Sequence, residues 1–200
     1  MKIGTRILYP EETDMWKGAE LVQISAYSGI DGNLDMMIRT AEACTIAGLP
    51  FVVHPVGYSV LNEDTCDDII SMAKLADIAL ILHDERGLDG GRISRDEDIR
   101  LRRLIEEMSA YTRLSFENAR NTADVQWFWD NYADSITLDI GHVQAYGLDS
   151  LEFVQALDSR TIEKIEFVHI HMNNGIHGGI RDHWPITPDC REVLALKELL

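Results

Sequence analysis

Basic residues are scarce in this chain: 18 Lys and Arg stand against 34 Asp and Glu, a formal net charge of −16. A surface of that sign repels a polyanion, so duplex DNA is disfavoured as a partner. A small anionic substrate is not excluded, because a bound cation inverts the local potential. Cysteine is sparse too. Cys44, Cys66 and Cys190 are odd in number, widely spaced and form no Cys-x-x-Cys pair, which argues against a disulfide framework and for free thiols in a reducing compartment. No apolar run approaches the roughly 18 residues needed to cross a bilayer. The amino terminus has neither a secretory signal nor an Arg-rich transit pattern, so a soluble cytoplasmic protein with no membrane partner is expected. No Gly-x-Gly-x-x-Gly follows the first strand and no Gly-rich Lys-Ser/Thr loop occurs. The dinucleotide and P-loop folds therefore lack their usual support.

What the chain does contain is a regular alternation. Its 200 residues, 46% hydrophobic and 26% charged, suffice for one globular domain spanning 1–200, and no compositional break suggests a second. Strands are predicted at Lys2 to Leu8, Glu20 to Ala26, Phe51 to His54, Ile78 to Leu82, Thr112 to Phe116, Ser135 to Ile140 and Ile165 to Met172. Pro55 is expected to end the third. Helical spacing fills the gaps: Asp31 or Asn33 caps the first helix, Asn62 and Asp64 begin the second, Ser94 or Asp96 caps the third, and Thr187-Pro188-Asp189 opens the last. Such βα alternation implies an α/β fold with parallel strands, either a barrel or a doubly wound sheet. About seven βα units are expected, and the chain stops on a helix that would normally deliver an eighth strand. An unclosed sheet exposes edges and apolar surface, so either a homo-oligomer or a chain shorter than its relatives is expected.

The chemistry concentrates at strand ends, where the loops of βα folds converge. Ser135 to Gly147, SITLDIGHVQAYG, places Asp139 at the mouth of a buried strand with His142 three residues on. A buried Asp costs several kcal/mol in order-of-magnitude terms unless a cation or donor faces it. Either a metal-ligand pair or an Asp capping the following loop satisfies that requirement. His54 and His83 end two further strands, Glu117 a third, and His169 and His171 lie on the last, on one face if the strand runs through both. His177 and His183 fall in the loop beyond, His177 as a plain loop residue, and none of the seven histidines is expected in a helix. Taken singly, each is explained by capping or packing; together they form a set of N and O donors suited to Zn, Mn, Fe, Co or Ni more than to Mg or Ca. Arg100, Arg102 and Arg103 read as a solvated helix face.

The motifs FVVHP at His54, ILHDERG at His83, RLSFENAR at Glu117, TLDIGHVQAYG at Asp139 and His142, and FVHIHMNNGIHGGIRDHWPI from Phe167 to Ile186 resemble the xylose isomerase-like TIM-barrel superfamily, which includes endonuclease IV and many sugar isomerases and epimerases. The resemblance implies a TIM-type (β/α) barrel, shortened here, with a divalent-metal site, Zn or Mn. On the isomerase and epimerase side it implies that Glu117, Asp139 and one of His169 and His171 bind an ion, with His142 at the substrate. On the endonuclease IV side His54, His83, His142 and His183 would join them around up to three zinc ions. Which of His169 and His171 is the direct ligand stays open. Asn118, Asn173, Arg181 and Asp182 are expected beside the substrate. Two features depart from the pattern: the glutamate usual on an eighth strand has no counterpart, and in the Asp-x-His loop motif Arg181 holds the first position, with Asp182 next to His183.

The leading expectation is a metal-dependent isomerase or epimerase for a small sugar or sugar-phosphate-like molecule, with Glu117 or His142 moving the proton. The alternative is a zinc phosphoesterase of endonuclease IV type. A degenerate barrel that binds metal without turnover is the third reading.

Overall fold

The computed structural model describes residues 4–120, 124–173 and 184–200. Contacts divide the chain into two compact units, Met1–Leu114 and Ser115–Leu200.

In the first unit, β1 (Gly4–Ile7), a 3₁₀ turn (Pro10–Asp14), β2 (Leu21–Tyr27), α1 (Asn33–Ala47), β3 (Phe51–Val56), α2 (Glu63–Leu75), β4 (Ala79–His83) and α3 (Arg95–Ser109) follow in order. The strands pair parallel in chain order, β1 with β2, β2 with β3 and β3 with β4. Ile7, Val22, Ile24, Val53 and Leu80 are buried with Met37, Ile69, Met72, Leu101 and Leu104 from the helices. That is the two-faced burial a parallel sheet under helices requires. Two predicted helix starts hold: the Asn62 side chain accepts the Asp64 N–H, and Ser94 forms a capping box with Glu97. The first does not. Asn33 donates its side-chain amide to the Tyr27 carbonyl, and the cap falls on Gly32, whose φ of 72° favours glycine. Nor does Pro55 end β3. It pairs with Ala26, and Ser28 N–H donates to Val56 O beyond it. The β3–β4 pairing falls earlier, at Val53 and Leu80, so the missing proline N–H is tolerated near the strand end.

The second unit takes in the end of β5 (Arg113–Glu117), then α4 (Val125–Tyr132), β6 (Ile136–Asp139), α5 (Ile140–Ala145), α6 (Ser150–Gln155), α7 (Ser159–Lys164), β7 (Ile165–His169) and α8 (Arg191–Leu199). β5 pairs parallel with β6, and β6 with β7. Phe116, Phe128, Trp129, Ile136, Leu138 and Val143 are buried, with the Trp129 indole N–H donating to Phe116 O at 3.2 Å. Three expectations are corrected. His142 lies in a helix, α5, because Asp139 caps it directly after β6. β7 stops at His169, opposite Asp139, so His171 lies beyond the ladder and strand alternation does not set its direction. The final helix begins at Arg191, since Thr187 to Cys190 closes a turn through Cys190 N–H to Thr187 O.

Seven strands among the described residues thus alternate with helices, all named pairings being parallel, in the element order of a shortened TIM-type α/β barrel. No helix among the described residues is long and apolar enough to cross a membrane.

Candidate metal centre

The two carboxylates expected at the centre close adjacent strands: Glu117 is the last residue of β5 and Asp139 the last of β6, both buried. Parallel pairing brings both strand ends to the same side. The Asn118 amide then fixes the Asp139 backbone, its Oδ1 accepting the Asp139 N–H and its Nδ2 donating to the Asp139 carbonyl, each at 2.8 Å. Asp139 Oδ1 accepts the His142 N–H at 2.8 Å as the cap of α5. The first turn of α5 thereby swings the His142 ring back toward the carboxylate, with Nδ1 3.5 Å from Asp139 Oδ2 and 3.7 Å from Glu117 Oε1.

Two further imidazoles complete the group. His169 Nδ1 is 2.9 Å from Glu117 Oε1 and 3.8 Å from Asp139 Oδ2. His171 Nε2 is 3.1 Å from Asp139 Oδ1, and its ring meets that of His142 edge-on, centroids 5.5 Å apart. Gly141 makes the His171 position available: a Cβ there would overlap the ring. Both histidines of the 169/171 pair therefore face the carboxylates, His169 toward Glu117 and His171 toward Asp139.

Burial pushes the Asp139 carboxyl up, but the His142 charge and the His171 hydrogen bond outweigh it, against some opposition from the Glu117 charge, and the group lies below the usual carboxylate range. One ligand atom each from Asp139, His142 and His171 lies within 4.8 Å of the others, close enough for one ion to touch all three. Buried His and Asp donors of this kind suit a borderline transition metal. The donor set fits the divalent ion that the resemblance in the sequence implies.

The remaining expected residues are placed as follows. Asn118 is fully buried, with its amide committed to the Asp139 backbone. Asn173 is buried, and its backbone N–H donates to Glu192 Oε1 at 2.8 Å. In the first unit, His54 Nε2 faces His83 Nε2 at 3.0 Å, while His54 Nδ1 lies 3.0 Å from Gln23 Nε2. Arg181, Asp182 and His183, and with them His177, lie outside the described residues. Glu192 carries no signal in the sequence, because an acid in a helix's first turn is ordinarily a solvated, dipole-favoured residue. Gly141 is visible in the motif, but its contact with His171 is not.

No protein-family model matches the chain, and no curated protein does. Among solved structures it is similar to D-psicose 3-epimerase from Clostridium cellulolyticum, determined with D-tagatose, at 13% identity and a TM-score of 0.48, over 86% of this chain and 73% of that one. It is also similar to dihydropteroate synthase from Thermus thermophilus, at 11% identity and a TM-score of 0.44, over 100% of this chain and 94% of the other. A third is dihydropteroate synthase from Burkholderia cenocepacia, at 14% identity and a TM-score of 0.38, over 84% and 86% of the two chains.

Proposed function

We propose that this protein is a divalent-metal-dependent isomerase or epimerase acting on a small polyhydroxylated carbonyl compound. The observation that carries the reading is the meeting of Asp139, His142 and His171 donor atoms within 4.8 Å, beside the Glu117–His169 pair at 2.9 Å. Asp139, His142 and His171 would hold the ion, zinc or manganese, with Glu117 and His169 beside it. When bound, such an ion polarises a carbonyl or hydroxyl oxygen. Removal of a proton from the adjacent carbon then needs a base that substrate can reach. As a ligand, His142 would have no lone pair left for that proton, so the exchange would fall to the Glu117–His169 pair, in which His169 keeps 20% exposure and Glu117, 1% exposed, orients it. The sugar-like substrate class rests on the sequence motifs quoted above.

The facing His54 and His83 nitrogens favour a second reading, a zinc phosphoesterase, because two imidazole nitrogens 3.0 Å apart either share a hydrogen bond or can face one ion. The protein as purified, stripped and reloaded, separates the two. About one manganese, cobalt or similar ion per chain with interconversion of keto-sugars supports the isomerase, whereas about three zinc ions with cleavage of abasic-site DNA supports the phosphoesterase. Bound metal with both substrates untouched would overturn both in favour of a binding role without turnover.

A further inference from the structure

β7 ends at His169, so the backbone that carries His171 continues without a strand ladder to hold it. Buried backbone donors in such a segment still need partners. One is provided from far along the chain. Glu192, the second residue of α8, is 2% exposed, and its Oε1 accepts the N–H of Asn173 at 2.8 Å, two residues past His171. Between them Met172 exchanges backbone hydrogen bonds with Trp184, at 3.0 and 2.8 Å. A carboxylate is costly to bury, and a helix's first turn would accept the same residue facing solvent. Its inward placement has to be explained by what it holds.

The neighbouring residue makes the parallel contact on the other side. Arg191 grips Asp149 through two hydrogen bonds, Nε to Oδ2 at 2.7 Å and Nη2 to Oδ1 at 2.6 Å. Asp149 caps α6, and the Ser150 hydroxyl beside it donates to Ile140 O at the start of α5, the helix of His142. The first two residues of α8 are therefore tied to the two segments that present His171 and His142 to Asp139.

We infer that Arg191 and Glu192 are positioning residues for the metal centre, with Glu192 setting the place of His171 through the Asn173 backbone. The inference rests on the metal reading above. It makes a distinction that general stabilisation of α8 does not: what matters at 192 is an acceptor oxygen at the right reach, not the charge. Glu192→Gln keeps the oxygen and drops the charge, whereas Glu192→Asp keeps the charge and withdraws the oxygen by one methylene. Both are conservative enough to fold.

Titration of the stripped protein with Co²⁺, followed by its visible absorption, reads affinity and ligand geometry together. Diethyl pyrocarbonate labelling of the metal-free protein, resolved by mass spectrometry, reads the exposure of His171. E192Q is expected to match wild type in both. E192D is expected to bind Co²⁺ about 10- to 100-fold more weakly, with altered absorption bands and faster labelling at His171. The reverse order, E192D like wild type and E192Q impaired, would assign the residue to the helix dipole and overturn the inference. Equal Co²⁺ affinity and spectra in all three proteins would overturn it while leaving the metal centre intact. Wild-type protein that takes up no Co²⁺ would overturn the metal reading and this one with it.

Discussion

Asn118 holds Asp139 by both of its backbone groups, N–H and carbonyl, through the two ends of a single buried amide. The residue after one strand thus fixes the last residue of the next, and Asp139 is aimed before any ligand reaches it. Asn118→Ala would leave a buried donor and a buried acceptor without this partner, at about 1–3 kcal/mol for each orphaned group. Urea unfolding should show a loss of that order. A midpoint equal to wild type would mean that water or a neighbour replaces the amide.

Gly141→Ala distinguishes helix propensity from packing by the sign of its effect. Within a helix, alanine is favoured over glycine by up to about 1 kcal/mol. Gly141 lies in α5 but its added Cβ would overlap the His171 ring, and overpacking of that kind costs about 1–3 kcal/mol. Net destabilisation with weakened metal binding is expected. Stabilisation with unchanged metal affinity would show that His171 can shift without consequence.

The Arg191–Asp149 pair predicts a pH dependence. Hydrogen bonds from Arg191, then the Glu152 N–H, hold the Asp149 carboxyl below its ordinary value. A carboxylate depressed in the folded state contributes stability that is fully present above the unfolded pKa, near 4, and is lost as pH falls through the lower folded value. Asp149→Asn should therefore destabilise at pH 7 and differ progressively less from wild type below about pH 4. Both side chains are partly exposed, which keeps the effect modest and sensitive to salt. Urea midpoints across pH for the two proteins check it, and a constant difference down to about pH 2 would contradict it.

Cys44 is completely buried, and burial pushes its thiol up to about 11. Thiolate is the reactive form, so iodoacetamide at about pH 8 should leave Cys44 unmodified in the native protein and label the partly exposed Cys190 first. Peptide mass spectrometry gives the order. Early labelling of Cys44 would show that the first unit opens readily.

Much of this arrangement is legible in the order of residues, because parallel βα units leave strong periodic marks. Strand runs such as IALIL and helix starts such as Asn62 and Ser94 carry their own local physics. The strand-end positions of Glu117 and Asp139 follow from the same periodicity. Less legible is whatever depends on contacts between distant segments. His142 enters a helix because Asp139, besides ending a strand, caps the next turn. His171 turns toward Asp139 from beyond the ladder, against Gly141, and no periodicity encodes that. Glu192 looks like any acid at a helix start until Asn173 is brought to it.

Anomalous scattering from crystals loaded with zinc or manganese tests the central claim most directly. A peak within about 2.0–2.3 Å of donor atoms from Asp139, His142 and His171 is the predicted result. Metal bound elsewhere, with no peak beside those three side chains, would contradict it.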